Sequence, residues 1–432
     1  MKISLFQGIL FGVFIFAALV GLFVFATYSN SGNSGGSVGT VVIWGILPAE
    51  GMQSALSTAA QTEPLLKNVS YVQRDSATLA NDLASAIATG SAPDLVLASQ
   101  EQLRSIAKFI APISSSALSA STFTNTFVEE GGLFAGPGGY YGIPFLVDPL
   151  VLFSNRAILA SSGIAKPPTT WEALMGLVPS VAILSPSRQI SRGLIALGTY
   201  DNVHNARGIL SALFIQAGVP ISSYSSGGAL SANLGTNTSS GVPSGESVLG
   251  FYTQFADPSK VSYTWNASLP DSQQAFKNGD IALYLGYASE AKFFKSANPN
   301  LNFTVTPLPQ TATATIKSAF GLIYALMIPR GANNSSGAYQ TAVLLTNVAE
   351  QNVAASATGL APVVLNELAT MPTDSVAAVA YAEALYSKGW LSPAPASTDT
   401  VFSGMITDVI SGRSSLSVAL VSAERSLSAL LQ

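Results

Sequence analysis

Short apolar runs alternate along this chain with stretches whose hydrophobic positions recur every three or four residues. VVIW at 41–44 and VSYV at 69–72 read as strands with a helix at 51–62 between them. Leu79, Leu83 and Ile87 share a helical face that stops at Gly90, Pro93 opens a strand DLVLA at 94–98, and a further helix follows at 100–109. This alternation predicts a mainly parallel sheet covered by helices on both faces, with ligands collecting beyond the carboxyl ends of its strands. Residues 44–50 and 99–101 lie at such ends.

Two apolar runs, 142–147 and 150–153, are separated only by Asp148 and Pro149 and predict an extended crossing segment. Ile209, Leu210, Leu213 and Phe214 form the stripe of a helix at 206–217, whereas 222–247 is a Gly/Ser/Asn stretch without periodicity and reads as a surface loop. A helix ends at Gly279, a strand follows at 282–287, two more at 303–309 and 319–328, and the part from 337 to 432 is nearly all helical.

The N-terminus has a different pattern. No charged residue occurs from 3 to 26, and about 24 helical residues at roughly 1.5 Å each would more than cross a hydrocarbon core of about 30 Å. A secretory signal has an apolar region of only about 7 to 15 residues, so an uncleaved single-pass anchor is the expectation for 1–28. Lys2 precedes the span and the next basic residue is Lys67, which places the N-terminus in the cytoplasm and the bulk of the chain outside the cell membrane. Residues 29–39, SNSGNSGGSVG, read as a flexible linker.

Composition narrows the function. Only 10% of residues are charged, against about 25% in ordinary soluble proteins, so neutral polar side chains must carry solubility. The net charge of -4 comes with scattered Lys and Arg and no basic patch, which excludes nucleic acid as a partner. The absence of cysteine removes disulfides, thiolate metal sites, cysteine nucleophiles and a lipidated cysteine. His204 is the one histidine, no Gly-x-Ser-x-Gly elbow surrounds a serine, and GPGGYYG at 136–142 has neither dinucleotide-loop nor Walker spacing. Glu129 and Glu130 are neighbours in one loop and cannot by themselves flank a bond from two sides. The expectation is a protein that is not an enzyme and needs no cofactor and no metal.

Six segments in order then carry a resemblance: VVIWG at 41–45, APDLVLAS at 92–99, YYGIPFLVDPLVLFSNRAIL at 140–159, PPTTWEAL at 167–174, AFKNGDIALYLGY at 275–287 and VISGRSSLSVALVSAERSL at 409–427. Together they make the chain similar to the extracellular solute-binding proteins, family 1, of sugar ABC importers related to maltose-binding protein, within the type II periplasmic-binding-protein superfamily. The resemblance implies an α/β fold of two discontinuous lobes joined by a hinge, 40–145 plus 282–330 and 146–281 plus 331–432, preceded here by the transmembrane helix. It also implies a monomer that binds a carbohydrate or similar small polar solute between the lobes and delivers it to ABC permease subunits. The alternative is a sensor or adhesion module that signals to a membrane partner without transport.

The resemblance puts particular residues near the cleft, each with a second reading. Asp148 accepts hydrogen bonds from solute hydroxyls or caps the turn before Pro149. Trp44 offers a sugar ring an apolar face or fills the lobe core. Glu50 and Glu101 face the cleft or are solvated acids at helix starts. Trp265 is an aromatic platform from the second lobe or a buried indole, and Tyr200 and Tyr287 line the cleft or pack locally. Ala98 stands where the family's sugar binders carry an aromatic and Gln102 where they carry a basic residue, which argues against a maltodextrin-like ligand.

Overall fold

Thirteen consecutive residues without one exposed side chain, at 143–155, organise the whole molecule. A computed structural model describes residues 37–225, 227–236 and 244–432. The expected anchor, 1–28, and residues 29–36 of the expected linker lie outside the described residues, among which no helix is long and apolar enough to cross a membrane. The expected linker is already docked at Val38, which is 4% exposed and whose carbonyl accepts a hydrogen bond from Asn334 Nδ2 at 2.8 Å.

The elements that position the site are, in chain order, β1 (Val41–Gly45), α1 (Ala49–Thr62), β2 (Val69–Gln73), α2 (Leu79–Ala88), β3 (Leu95–Ser99), α3 (Gln100–Ile106) and the long β4 (Ile143–Asn155). β5 (Ile190–Ile195), α4 (Ala206–Gln216), α5 (Ser272–Asn278), β6 (Ile281–Tyr287), α6 (Glu290–Ala297), β7 (Phe303–Thr306) and β8 (Ala319–Met327) follow. The chain continues through α7 (Ser335–Leu345), α8 (Val348–Thr358), α9 (Ser375–Ala384), α10 (Pro395–Ile410) and α11 (Leu416–Leu431).

β2, β1 and β3 pair in parallel, as the strand and helix alternation predicts. β8 then runs antiparallel to β3 and to the near half of β4, with Gly321 opposite Pro149. Beyond that proline β4 changes partners: its far half pairs antiparallel with β6 on one edge and β7 on the other, and β6 pairs in parallel with β5. Proline has no N–H to donate, so the ladder weakens at the residue where one strand passes between two sets of neighbours. The continuous apolar run is what a strand buried on both faces requires.

These pairings distribute the chain differently from the expected boundaries. Residues 282–306, expected with the first set of strands, join the far half of β4, because Phe153 gathers Phe276, Tyr284 and Phe294 into one cluster with ring centroids 5.0 to 6.2 Å apart. Helices α7 and α8, expected with the second set, lie on the first: α8 packs on α1, and α7 packs on β1. α10 and α11 pack on each other and on the second set. The expected loop at 222–247 holds a hairpin, Ile221–Tyr224 with Leu230–Asn233, and helix Ser244–Thr253 begins within it. Its order comes from α11: Ser428 Oγ accepts from Ala232 N at 3.1 Å and Glu424 Oε2 accepts from Leu234 N at 2.7 Å. Such partners leave no local periodicity to read.

Candidate functional site

The end of β3 and the start of α3 form one rigid corner. Ser99 caps the helix in a capping box with Gln102, whose Oε1 accepts from Ser99 N at 3.1 Å and from Ser99 Oγ at 2.6 Å. Gln102, which stands where a basic residue was expected, is thereby committed to the corner. Gln100 ties it to β8: its Nε2 donates to the Gly321 carbonyl at 3.0 Å and its Oε1 accepts from Ile323 N at 2.8 Å. Glu101, between them, is 2% exposed and points away from its own strands.

Its partner comes from the far side. Arg207, in the first turn of α4, donates from Nε and Nη2 to the two oxygens of Glu101, both at 2.9 Å, in the fork geometry that makes such pairs strong. Arg207 Nη1 donates to Asp399 of α10 at 2.6 Å, and the other oxygen of Asp399 accepts from Tyr200 Oη at 2.5 Å. Burial opposes the charge on Arg207, but the carboxylates of Glu101 and Asp399 outweigh it and hold the guanidinium well above its ordinary pKa. An arginine in the first turn of a helix faces the positive end of the helix dipole, so these carboxylates also offset an unfavourable position.

Two tyrosines sit beside this pair. The ring of Tyr287, at the end of β6, lies over Gly208, where a Cβ would come within 2.6 Å of the tyrosine oxygen. Tyr324 of β8 is 7% exposed. Neither hydroxyl has a hydrogen-bond partner among the described residues, and burial, together with the charges of Glu101 and Asp148, raises the pKa of both. Both are neutral hydroxyls able to donate and to accept.

Asp148 lies at the crossing, 5% exposed. It has no cation; Ser289, just before α6, donates to it from N at 3.1 Å and from Oγ at 2.5 Å. Burial pushes its pKa up to about 7 against the pull of those two bonds. The turn-capping alternative is therefore replaced by a different internal role, a clasp onto the start of α6. Glu290 follows, accepting from Asn205 Nδ2, Tyr284 Oη, Gln273 Nε2 and Tyr287 N, which fixes the backbone under Tyr287.

The structure thus brings Glu101, Tyr200 and Tyr287 into one cluster with Asp148 close by, and leaves three expected residues out of it. Trp44 is half-buried and covered by the Arg74 guanidinium, whose carbon is 3.7 Å from the ring centroid. Glu50 is exposed in the first turn of α1. Trp265 is 1% exposed and its indole N–H has no partner among the described residues, so it presents no platform at a surface. The sequence reading missed Arg207, Asp399 and Tyr324. The available signal was an arginine in a predicted helix start, a position that calls for carboxylates from elsewhere, in a chain with few charges.

A two-part sheet threaded by one strand, with polar groups facing each other across the join, defines a two-sided binding protein. The chain belongs to the bacterial extracellular solute-binding protein family, whose model matches residues 59–383. It is similar in fold to a cyclo/maltodextrin-binding protein complexed with maltotetraose, at 15% identity, TM-score 0.72 and coverage of 93% of this chain and 99% of the other. A cyclic alpha-maltosyl-1,6-maltose binding protein from Arthrobacter globiformis matches at 15% identity and TM-score 0.73, with 92% and 99% covered. The maltose/maltodextrin-binding domain from Bdellovibrio bacteriovorus bound to maltotriose matches at 17% identity and TM-score 0.65, with 90% and 98% covered. No curated protein sequence matches the chain.

Proposed function

We propose that this chain is the receptor of an ABC importer, held at the outer face of the cell membrane by residues 1–28, which takes a sugar or similar small polar solute between two lobes and hands it to the permease. The lobes in this reading are 38–148 with 319–370, and 150–318 with 375–432, grouped by strand pairing and helix packing. The observation that carries the reading is the juxtaposition of Glu101 and Tyr324 from one side with Arg207 and Tyr287 from the other. Arg207 uses three of its five N–H donors on Glu101 and Asp399, which leaves two. With the two unpartnered hydroxyls, these supply the mixed donors and acceptors that a polyhydroxylated solute needs. Structural relatives complexed with maltotetraose and bound to maltotriose support carbohydrate as the class, and no covalent step is part of the reading.

The test is calorimetry and thermal shift on the detergent-solubilised chain against a panel of mono- and oligosaccharides, polyols, amino acids and peptides. A sugar present at about 100 times its Kd adds about 2.7 kcal/mol of stability. Arg207→Met and Glu101→Gln are expected to weaken its binding at least tenfold. A panel in which only peptides or amino acids bind would overturn the carbohydrate assignment.

A further inference from the structure

We infer that the chain carries its own latch: three basic side chains, Arg207, Lys292 and Arg104, join the two lobes and hold the cleft shut without help from a solute. The inference rests on the two-lobed reading above, and it concerns the resting state of the clamp rather than what the clamp binds.

Each bridge starts on one lobe and ends on the other. Arg207 of α4 reaches Glu101 of α3 with two 2.9 Å bonds. Lys292 of α6 donates to the carbonyls of Ser356 and Ala357 in the last turn of α8, both at 2.7 Å. Arg104 of α3 donates from Nη2 to the Leu431 carbonyl in the last turn of α11 at 2.8 Å. The second and third have the same physics. The last carbonyls of a helix lack intrahelical partners and carry the negative end of its dipole, so a cation from the opposite lobe both caps them and is attracted to them. The chain has only 19 Lys and Arg in all, and besides these three Lys388 reaches Glu129 across the same boundary at 2.8 Å.

The three bridges start on α4, α6 and α3 and end on α3, α8 and α11. All of them use groups of the chain itself. A closed form stabilised in this way is populated before any solute arrives, and entry then requires the latch to release. Lys292 and Arg104 are both exposed, and each such bridge is expected to change the ratio of closed to open by a factor of about 2 to 5. Removing both should raise the open population by a factor of about 4 to 25, and speed association and dissociation of the solute.

The experiment exploits the lack of cysteine. Ser57→Cys on α1 and Ser422→Cys on α11, both exposed positions, accept a pair of spin labels with no background. Pulsed dipolar spectroscopy of the full chain without solute should give one narrow distance distribution, which gains a separated second population in Lys292→Met/Arg104→Met. Lys292→Arg, which keeps the cation, should stay narrow. A broad or two-peaked distribution in the parent protein, or an unchanged one in the double variant, would overturn the latch. Calorimetry with the sugar panel on the same samples separates the two ideas: sugar binding alongside a static distribution removes the latch and leaves the receptor, and an opening response with no sugar bound does the reverse.

Discussion

Asp148 at the crossing and Glu101 at the start of α3 are both almost completely buried carboxylates, and the protein stabilises them by opposite means. Glu101 is met by a guanidinium from the other lobe, whereas Asp148 is met by a serine's hydroxyl and amide and by no cation. Burial of a charge without a counter-charge raises its pKa, and Asp148 stands at about 7. The difference teaches which contact is built to last and which to be exchanged. The Asp148 clasp joins the residue where β4 crosses between the proposed lobes to Ser289 at the start of α6, at the pivot of the proposed motion. In the proposed clamp the Glu101 to Arg207 fork spans the cleft, so opening would break it.

The largest expected effect tests the cleft side. Arg207→Met leaves Glu101 buried without its cation and should cost about 3 to 5 kcal/mol in urea denaturation, while Glu101→Leu/Arg207→Met should recover most of that loss. A loss under about 1 kcal/mol would show that Glu101 does not depend on the fork, and the contrast with Asp148 would vanish.

The hinge side is tested by pH. Asp148, Glu130 and Glu383 are all pushed up by burial to about 7 in the folded chain, above their ordinary values. Between about pH 4 and 7 the folded protein therefore holds protons that the unfolded chain has released, and stability falls as the pH rises through that window. Below it both states are protonated, and above it both are ionised, so the slope disappears at each end. Each pKa unit corresponds to about 1.4 kcal/mol, which gives each carboxylate a contribution of the order of 3 kcal/mol. Chemical denaturation at pH 5 and pH 7.5 should show the greater stability at pH 5, and Asp148→Asn should reduce the difference. A more stable protein at pH 7.5 would contradict the reading of Asp148.

A smaller effect sharpens the boundary between the two regions. A Cβ at position 208 would press on the Tyr287 hydroxyl, so Gly208→Ala should cost about 1 to 3 kcal/mol and weaken solute binding by moving that ring. Unchanged stability with unchanged binding would show that the tyrosine is free to move and does not shape the cleft.

Local pattern determined a great deal here. The period-two and period-four runs marked β1, β3, α2, α4 and the uninterrupted apolar stretch of β4, because strands and helices impose their own spacing on the residues that form them. Asp148, Tyr200 and Tyr287 are singled out by the family resemblance rather than by local pattern, and Glu101 by the resemblance together with its place at the end of a buried strand. Tertiary structure alone decided their partners. Glu101 meets Arg207 across 106 positions of chain, Asp399 meets Arg207 across 192, and Asp148 meets Ser289 across 141. It also decided that 282–306 and 335–358 change sides, and that Trp265 is interior while Trp44 is stacked under Arg74. No short-range spacing encodes these choices. They follow from which apolar faces cover one another once the sheet is assembled, and the buried charges then take whichever partner that packing brings within reach.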